Sequence, residues 1–313
     1  MKVAITGATG FIGTLLAQRH LQMGNQVHIL TRRPADKLGL TGVTSHFGDL
    51  SNPEALRQLV DGADILYHCA AEIRDTHSMR AVNVDGTRHL IEQARGRIKH
   101  WVQLSSVGVY GPVFSGRVTE ERAYHPANEY EKTKLESDQL VIEAGQSGAF
   151  SYTIIRPSNV IGPGMRNASL FALMRSVARG VYFYIGPKGA SANYVSARNV
   201  VEALCLAGTH PKAKNEIYNL SDWCAIEEFI GQIATSLGKP QPRLRFPKPL
   251  MLAAARVLSV VPRNPLTASR VRALTSRAVY PNDKIENELG YQNSHPVRDA
   301  IRELTDFYKT THV

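Results

Sequence analysis

The N-terminal segment constrains the fold of this chain more than any other. An apolar run over residues 3–5 leads directly into Thr6-Gly7-Ala8-Thr9-Gly10-Phe11-Ile12-Gly13, in the order strand, glycine turn and helix. The three glycines allow a tight turn, a close approach of the backbone to a pyrophosphate, and close packing of the helix on the strand. The amides and the dipole at the helix start favour negative charge there. The segment therefore predicts a βα unit that binds a dinucleotide, with a tight turn that holds no ligand as the alternative.

Short apolar runs alternate with helical patterns through the first half of the chain. The runs suited to buried parallel strands cover residues 3–5, 27–30, 43–47, 65–67, 101–104 and 152–155. The helical patterns between them cover residues 12–23, 53–60, 79–94 and 129–143. This alternation predicts an α/β fold with a doubly wound parallel sheet of the Rossmann type, and a ligand at the carboxyl ends of its strands.

The alternation loosens after about residue 157. Helical patterns then cover residues 169–179, 197–207 and 225–237, and an apolar strand pattern covers 216–220. A proline-rich stretch at 240–249 precedes mostly helical sequence. We expect a nucleotide-binding domain over residues 1–160, with late strands that return to it from about 190–220. A smaller, mostly helical, mainly substrate-binding lobe is expected over residues 161–313.

Composition predicts a cytoplasmic protein without membrane spans or metal sites. No apolar run approaches the roughly 20 residues that a membrane span needs, and the first strand begins too early for a signal peptide. Cys69, Cys205 and Cys224 lack metal-ligand spacing. Three cysteines without such spacing are typical of reduced, buried thiols in a cytoplasmic protein.

The net charge favours anionic ligands. It is +10, from 37 basic and 27 acidic residues. The basic residues are scattered, so a solvated basic surface is favoured over a nucleic-acid interface. A small anionic molecule is therefore the expected partner, and nucleic acid the less favoured one.

Tyr130 and Lys134 are the first candidate catalytic pair. They stand four residues apart in a helical pattern, so both project from one helix face. A nearby ammonium lowers the pKa of a phenol from about 10, which makes a tyrosine usable as a general acid or base. The same spacing occurs on many surface helices, so the pair alone is weak support.

A serine pair follows a buried strand. Ser105 and Ser106 come directly after the run at 101–104. A serine hydroxyl at the carboxyl end of a strand can form a hydrogen bond with the carbonyl or alcohol of a substrate. An ordinary serine-glycine turn is the alternative.

Motifs along nearly the whole chain resemble those of the extended short-chain dehydrogenases/reductases, of the epimerase, dehydratase and 3β-hydroxysteroid dehydrogenase type. The matching segments are TGATGFIG at 6–13, Gly48-Asp49-Leu50, His68-Cys69-Ala70-Ala71, Asn83-Val84-Asp85-Gly86-Thr87, 105–111, Tyr130-x-x-x-Lys134, 156–163, Tyr194-Val195 and Leu289-Gly290-Tyr291. Their order and intervals together make the resemblance specific.

The resemblance implies catalytic roles. Tyr130 would donate or accept the proton, Lys134 would be its electrostatic partner and bind the nicotinamide ribose, and Ser106 would bind the substrate oxygen. Ser105 could exchange roles with Ser106. Asn83 would begin a helix and brace the site.

The resemblance also implies binding residues, and no metal. The cofactor contacts would be Gly7, Thr9, Gly10, Phe11, Ile12, Gly13, Asp49, Leu50, Ala70, Ala71, Lys134, Pro157 and Asn159. Asp49 and Leu50 would border the adenine. The substrate contacts would be Ser106, Tyr130, Asn159, Arg166 and Tyr194.

The end of the second strand predicts the form of the cofactor. NAD-preferring Rossmann enzymes place a carboxylate there, on the adenosine ribose hydroxyls. This chain has Leu30-Thr31-Arg32-Arg33 instead. Guanidinium groups suit a 2′-phosphate. We therefore expect NADP(H), with Arg32 as the first candidate for binding the 2′-phosphate and Arg33 as the second. NAD(H) is the alternative cofactor. The two arginines could also be ordinary surface residues that bind no ligand.

The motifs narrow the reaction. Dehydratases of this family carry an Asp-Glu pair where this chain has Ser106-Val107, so sugar dehydration is not expected. Hydride exchange at one carbonyl or alcohol, or epimerisation through a transient ketone, is consistent with the remaining motifs. The favoured prediction is a nucleotide-sugar 4-keto reductase or epimerase.

Several alternatives stay open. Ala192-Asn193 stands where nucleotide-sugar enzymes often carry an arginine before the Tyr-Val segment, and the C-terminal pattern also resembles the sterol branch. A 3β-hydroxysteroid or dihydroflavonol-like dehydrogenase-reductase is therefore one alternative. A non-catalytic NADP-sensing or RNA-binding relative is another. Analogy with the family predicts a homodimer, through the helices around 79–94 and 129–143.

Overall fold

Strands and helices alternate along most of this protein. The structure, a computed structural model, describes residues 1–33, 39–165, 167–258 and 266–312, with side chains as far as residue 310. Its strands are β1 (Lys2–Thr6), β2 (Gln26–Thr31), β3 (Thr44–Phe47), β4 (Ile65–His68), β5 (His100–Leu104), β6 (Ser115–Arg117), β7 (Ser151–Pro157), β8 (Asn159–Ile161), β9 (Tyr184–Ile185), β10 (Ser191–Ser196), β11 (Glu216–Leu220), β12 (Asp222–Ala225), β13 (Arg245–Phe246) and β14 (Arg277–Val279).

The helices lie between these strands. They are α1 (Phe11–Gln22), α2 (Pro53–Val60), α3 (Thr76–Arg80), α4 (Gly86–Ala94), α5 (Glu129–Gln146), α6 (Ala168–Ala178), α7 (Ala197–Thr209), α8 (Ile226–Ser236), α9 (Lys248–Val257), α10 (Ala268–Ala273), α11 (Asp283–Leu289) and α12 (Val297–His312). A π-helical turn (Ala81–Asp85) joins α3 to α4, and short 3₁₀ turns cover Val107–Tyr110 and Pro211–Ala213.

A seven-stranded parallel sheet forms the central layer, in the order β11-β7-β5-β4-β1-β2-β3. Alternate side chains of each strand point to opposite faces. On β1, Val3 and Ile5 pack with residues of α1 and α7, whereas Ala4 packs with residues of α2, α4 and α5. Helices therefore cover both faces, and the predicted doubly wound α/β fold is confirmed.

Chain polarity places the candidate site. β1 is followed by α1, β4 by the loop that leads to α3, and β5 by the Ser105-Ser106 turn. All these strands are parallel, so their carboxyl ends meet at one edge of the sheet. The predicted cofactor and catalytic residues are therefore brought to this edge.

A second layer of elements follows β7. β8, β10 and β12 form a three-stranded sheet, and α6, α8 and α12 pack into one apolar cluster with Tyr184, Ala190 and Ala192. Of the late strands expected to return to the central sheet, β11 does so beside β7, whereas β10 lies in the three-stranded sheet.

The largest departure from the sequence patterns lies at residues 79–94. One continuous helix was expected there, but the π-helical turn separates α3 from α4. Apolar periodicity does not distinguish one extra residue in a helical turn from a regular turn. Asn83 lies inside this turn and does not begin a helix.

The described residues contain no helix that is long and apolar enough to cross a membrane, and no cluster of three potential metal ligands. The three cysteines are free thiols. Cys205 is buried as expected, whereas Cys69 and Cys224 are only half-buried.

Candidate active site

The glycine turn between β1 and α1 is held by contacts that only glycine permits. Gly7 has a φ of +71°, and a Cβ there would lie 2.6 Å from the amide nitrogen of Ala70. A Cβ on Gly13 would lie 2.1 Å from the Gly7 carbonyl oxygen. Gly7 thus packs against the end of β4, and Gly13 lets α1 pack on the turn.

Gly10 is less crowded than the other two glycines. A Cβ there would meet only the Gly7 carbonyl oxygen, at 3.1 Å. Gly10 and Thr9 are exposed, and Gly10 precedes α1 without a side-chain cap on the helix. The first amides of α1 are therefore available to an external acceptor.

We expect the Gly13→Ala variant to be destabilised. The new methyl group would overlap the Gly7 carbonyl, which is fixed backbone, so its free energy of unfolding should fall by about 3 kcal/mol. Denaturant unfolding measures the change. Gly10→Ala is the matched control and should lose less than about 1 kcal/mol; equal losses in the two variants would contradict this account of the turn.

The loops after β2 and β3 carry the predicted adenosine-side residues. Arg32 and Arg33 are exposed, and the Thr31 hydroxyl donates to the Arg33 carbonyl at 2.6 Å. Hydrogen bonds from the Ser51 hydroxyl and amide lower the pKa of Asp49, and the positive charge of Arg32 also lowers it. Arg32 and Asp49 therefore face the same region.

Two further predicted residues differ in accessibility. Leu50 is buried and packs against Gly86, where a Cβ would lie 2.8 Å from the Leu50 Cβ. Leu50 therefore helps to hold α4 against this loop. Ala70 is half-buried and Ala71 is exposed, both just beyond the end of β4.

Asn83 ties the loop after β4 to α5. Its side-chain oxygen accepts from the Glu72 amide at 2.7 Å, and its Nδ2 donates to the Glu72 carbonyl (2.9 Å) and to Thr133 Oγ1 (3.1 Å). The π-helical turn aims this buried amide at both elements. The expected bracing role of Asn83 is therefore consistent with its contacts.

His68, at the end of β4, belongs to a buried polar network. Its Nδ1 lies 2.6 Å from Thr6 Oγ1, and its Nε2 lies 3.1 Å from Thr87 Oγ1. Burial, with the charge of Lys134, lowers the pKa of His68 to about 3, so the ring is neutral. The ring links β1, β4 and α4 beneath the glycine turn.

The first turn of α5 fixes the position of Tyr130. Asn128 caps the helix by accepting from the Glu131 amide at 3.0 Å, and Glu131 Oε2 accepts from the Ala127 amide at 2.7 Å. This arrangement resembles a capping box, except that Glu131 accepts from the residue before the N-cap. Tyr130 is thereby held at the start of α5, half-buried.

Ser106 is the hydroxyl partner of Tyr130. Ser106 Oγ accepts from the Gly108 amide at 3.0 Å, which fixes the turn after β5. Burial raises the pKa of Tyr130 to about 12, while the hydrogen bond with Ser106 lowers it and the charges of Asp138 and Glu131 raise it. The phenol is therefore protonated at neutral pH.

Lys134 is buried and bound to the backbone. Its Nζ donates to the Leu104 carbonyl at 2.7 Å. The ammonium also interacts electrostatically with His68 and Cys69, at the end of β4. The expected lowering of the Tyr130 pKa by Lys134 is wrong for this arrangement, because burial of the phenol dominates. Lys134 instead joins the end of β5 to the region beside the glycine turn.

Ser105 does not share the environment of Ser106. It is buried, and its hydroxyl donates to Asp138 Oδ2 at 2.7 Å. The same carboxylate oxygen accepts from Nε and Nη2 of Arg156, at 3.2 and 3.1 Å, and both charged side chains are fully buried. Ser105 thus anchors the turn to a buried ion pair, whereas Ser106 faces Tyr130.

Aromatic and amide side chains complete the surroundings of Arg156. Its Nη1 donates to the hydroxyls of Tyr110 (3.1 Å) and Tyr124 (3.2 Å). The Tyr110 hydroxyl donates in turn to Asn219 Oδ1 at 2.9 Å. The guanidinium therefore joins β7, α5, β11 and the segment before α5.

The remaining predicted residues lie beyond β7. Pro157 is buried at the end of β7, and Asn159 is exposed and donates from Nδ2 to the Asn193 carbonyl at 3.1 Å. Tyr194 pairs in register with Asn159 and stacks on Phe229, with ring centroids 4.2 Å apart. Arg166 lies outside the described residues.

The ion pair between Asp138 and Arg156, next to the candidate catalytic residues, was not predicted from the sequence. Arg156 stands in a recognised motif, and Asp138 lies one helical turn after Lys134. The available signal was an acidic residue on the same face of α5 as Tyr130 and Lys134.

The chain matches the model of the NAD dependent epimerase/dehydratase family over residues 3–221. It is 31% identical to sterol demethylase protein B of Methylococcus capsulatus over 82% of this chain and 80% of that protein. It is 27% identical to UDP-glucose 4-epimerase of Vibrio cholerae over 78% of each chain. The structure of UDP-glucuronic acid 4-epimerase from Bacillus cereus in complex with NAD superposes with a TM-score of 0.79, at 20% identity, over 100% of each chain.

The chain therefore belongs to the NAD dependent epimerase/dehydratase family, as its motifs predicted. The prediction of an enzyme of the oxidoreductase or epimerase type is confirmed. The structural likeness confirms the fold.

Proposed function

We propose that this protein catalyses hydride transfer between a nicotinamide cofactor and a secondary alcohol or ketone. The observation that carries the proposal is the arrangement of Ser106, Tyr130 and Lys134 beside the glycine turn. Lys134 interacts with Cys69, whose backbone touches Gly7, so the candidate catalytic pair and the dinucleotide turn share one edge of the sheet.

A bound nicotinamide would supply or accept the hydride. In the reducing direction Tyr130 donates its phenolic proton to the carbonyl oxygen as the carbon is reduced. In the oxidising direction the phenolate accepts the proton of the alcohol. Ser106 orients the substrate oxygen, and Lys134, whose Nζ donates to the Leu104 carbonyl, would bind the nicotinamide ribose.

The backbone and side chains of the edge fit such a cofactor. Gly10 and the free amides of α1 suit the pyrophosphate, and half-buried Ala70 offers a small side chain beside the turn. We propose NADP(H) as the preferred form, because exposed guanidinium groups and no carboxylate follow β2 at positions 32 and 33. NAD, which the B. cereus neighbour binds, is the alternative.

Replacement of Arg32 by alanine tests this preference. We expect the Arg32→Ala variant to bind NADPH about 10- to 100-fold more weakly, because a charge-assisted bond to the 2′-phosphate is lost. Binding of NADH should stay within about twofold. Calorimetric titration measures both dissociation constants.

Arg97→Ala provides the control for a lost surface charge, since Arg97 is exposed and lies before the amino end of β5, opposite the site. A parallel loss of NADH and NADPH binding in Arg32→Ala would contradict the 2′-phosphate role. Equal affinity of the wild type for both cofactors would favour epimerisation with a retained NAD over reduction by NADPH as the reaction of this protein.

Nucleotide sugars are the first proposed substrate class. The Vibrio cholerae relative and the B. cereus neighbour are both named as sugar-nucleotide 4-epimerases. Epimerisation at a ring carbon combines the oxidising and the reducing direction, with Tyr130 exchanging the proton in both and the ketone presenting its other face in between. Asn159 and Tyr194, adjacent across β8 and β10, are the side chains that we assign to the substrate.

A sterol-type ring alcohol is the second candidate, and two observations favour it. The M. capsulatus relative is named as a sterol demethylase protein. Ala192 and Asn193 also offer no cation for a pyrophosphate at β10. The same Tyr130 chemistry would oxidise a ring hydroxyl, or reduce a ring ketone, of either substrate class.

Turnover of two substrates by the purified protein separates these classes. UDP-glucose with NAD⁺ is assayed for UDP-galactose by NMR, and a 3β-hydroxysteroid with NADP⁺ or NAD⁺ is followed by absorbance of the reduced cofactor. Ser106→Ala should lower either rate. Turnover that is equal in wild type and Tyr130→Phe would exclude the proposed role of Tyr130, whereas cofactor binding without turnover of either substrate would favour the non-catalytic alternative.

The homodimer stays a prediction. Arg80 and Glu136 form a two-bond ion pair at 2.7 and 2.9 Å within one chain, between α3 and α5. The exposed sides of these helices are therefore charged. Sedimentation equilibrium decides between a monomer and a dimer.

A further inference from the structure

Positive charge is concentrated in one stretch of the chain. Residues 229–282 contain nine lysines and arginines and no aspartate or glutamate. The whole chain has a net charge of +10, so this stretch accounts for most of the excess. The charge of Arg245 is compensated by Glu227, which lies outside the stretch; Nη2 of Arg245 is 2.6 Å from Oε1 of Glu227. Arg243, Arg272 and Arg277 are exposed.

The same stretch exposes large apolar side chains. On α9, Met251 and Ala255 are buried against β9 and α10. Leu250 and Val257 lie on the opposite face, with 56% and 75% of their surfaces exposed. Ala253 is exposed between them, so positions i, i+3 and i+7 form one outward apolar stripe.

The strand before α9 continues this surface. Leu244, just before β13, and Phe246 are alternate residues of this extended segment, so they point to the same side. Leu244 is 63% exposed, and Phe246 is 37% exposed while its ring also meets that of Phe183. We name the set Leu244, Phe246, Leu250, Ala253 and Val257 the α9 surface.

An amphipathic helix of a monomeric domain normally turns polar residues outward, and exposed apolar patches rimmed by polar residues mark contact sites. We propose that the α9 surface binds the interface of an anionic lipid membrane. Apolar side chains would enter the acyl boundary, and the surrounding arginines and lysines would face lipid phosphates. The protein would then be bound to the membrane without crossing it.

The basic residues and the exposed apolar stripe together favour an anionic membrane over other partners. A second copy of the chain would bring two uniformly basic surfaces together, which like-charge repulsion opposes. A nucleic acid would satisfy the cations but gives no reason for an outward stripe of Leu250, Ala253 and Val257. An anionic lipid surface accounts for both features.

Vesicle co-sedimentation tests the proposal with the full chain. The wild type should bind vesicles of phosphatidylcholine mixed with phosphatidylglycerol, and bind pure phosphatidylcholine at least about tenfold more weakly. The double variant Leu250→Gln with Val257→Gln should lose about tenfold or more of the binding to mixed vesicles. Both side chains face outward, so thermal unfolding should be unchanged.

Matched controls come from segments outside residues 229–282. Met23→Gln removes an exposed apolar side chain after α1 and should leave vesicle binding unchanged. Arg243→Glu with Arg272→Glu should weaken binding to mixed vesicles about tenfold. Arg95→Glu with Arg97→Glu changes the net charge equally and should weaken it less.

Three results would overturn the proposal. One is the absence of vesicle binding by the folded wild type. Another is equal binding by the wild type and the Leu250→Gln/Val257→Gln variant. The third is binding of single-stranded RNA, or self-association in sedimentation, without vesicle binding; it would assign the surface to those partners. These results do not depend on catalysis.

Discussion

Replacement of Tyr130 by phenylalanine should lower kcat in both directions by about 10²- to 10⁴-fold, the usual contribution of a general acid or base. The change removes only the hydroxyl, so the capping of α5 by Asn128 and Glu131 is kept. Dissociation constants for NADPH and NADH should change by less than about threefold. Stopped-flow turnover and fluorescence titration give the two quantities.

Tyr291→Phe is the control, because Tyr291 is buried in the apolar cluster with α1 and α7, away from Ser106. It should keep wild-type kcat. An unchanged kcat in Tyr130→Phe would remove Tyr130 from the mechanism. Loss of cofactor binding with kcat would instead indicate that the phenol is a binding group.

The pH dependence gives a second readout of Tyr130. Burial raises the pKa of this phenol to about 12, so it is protonated in the physiological range. Ketone reduction uses the protonated form, so kcat/KM should stay level from about pH 6 to 9. Alcohol oxidation uses the phenolate and should become faster as pH rises. A falling oxidation profile would contradict this assignment.

Replacement of Asp138 by alanine should lower the free energy of unfolding by about 3–5 kcal/mol. The variant leaves the guanidinium of Arg156 fully buried without its carboxylate partner, and an unpaired buried charge carries a large desolvation penalty. Ser105 would lose its acceptor as well. Chemical denaturation followed by circular dichroism measures the loss.

A double variant tests whether the stability lost in Asp138→Ala comes from the unpaired charge of Arg156 or from packing. Asp138→Leu with Arg156→Met removes both charges at similar volume, and should recover at least about half of the stability lost in Asp138→Ala. If the double variant is no more stable than Asp138→Ala, the cost comes from packing and not from an uncompensated charge. Asp138→Asn, which keeps the shape, should lie between wild type and Asp138→Ala.

The sequence predicted the fold because its signals are local. Glycines at 7, 10 and 13 act within one turn, and apolar runs of three to five residues identify the buried strands of a parallel sheet. These features depend on neighbours in the chain, so they need no tertiary information.

Other features of the candidate site depend on distant residues. The buried pair of Asp138 and Arg156 forms between α5 and β7, and the π-helical turn that carries Asn83 serves a contact with Thr133 on α5. The pKa of Tyr130 is set by burial, which the spacing to Lys134 does not reveal. The separate environments of Ser105 and Ser106 likewise follow from which neighbour each hydroxyl reaches.

Nicotinamide fluorescence of wild type and Gly10→Val, titrated with NADPH and NADH, tests the central claim that a dinucleotide binds beside Tyr130. A Cβ on Gly10 would contact a single atom, the Gly7 carbonyl oxygen at 3.1 Å, so the variant should fold after a small shift of the turn while its side chain occupies the place of the pyrophosphate. We expect about micromolar binding of at least one cofactor by the wild type and at least about 100-fold weaker binding by the variant. Binding of neither cofactor by the folded wild type, or equal binding by Gly10→Val, would contradict the claim.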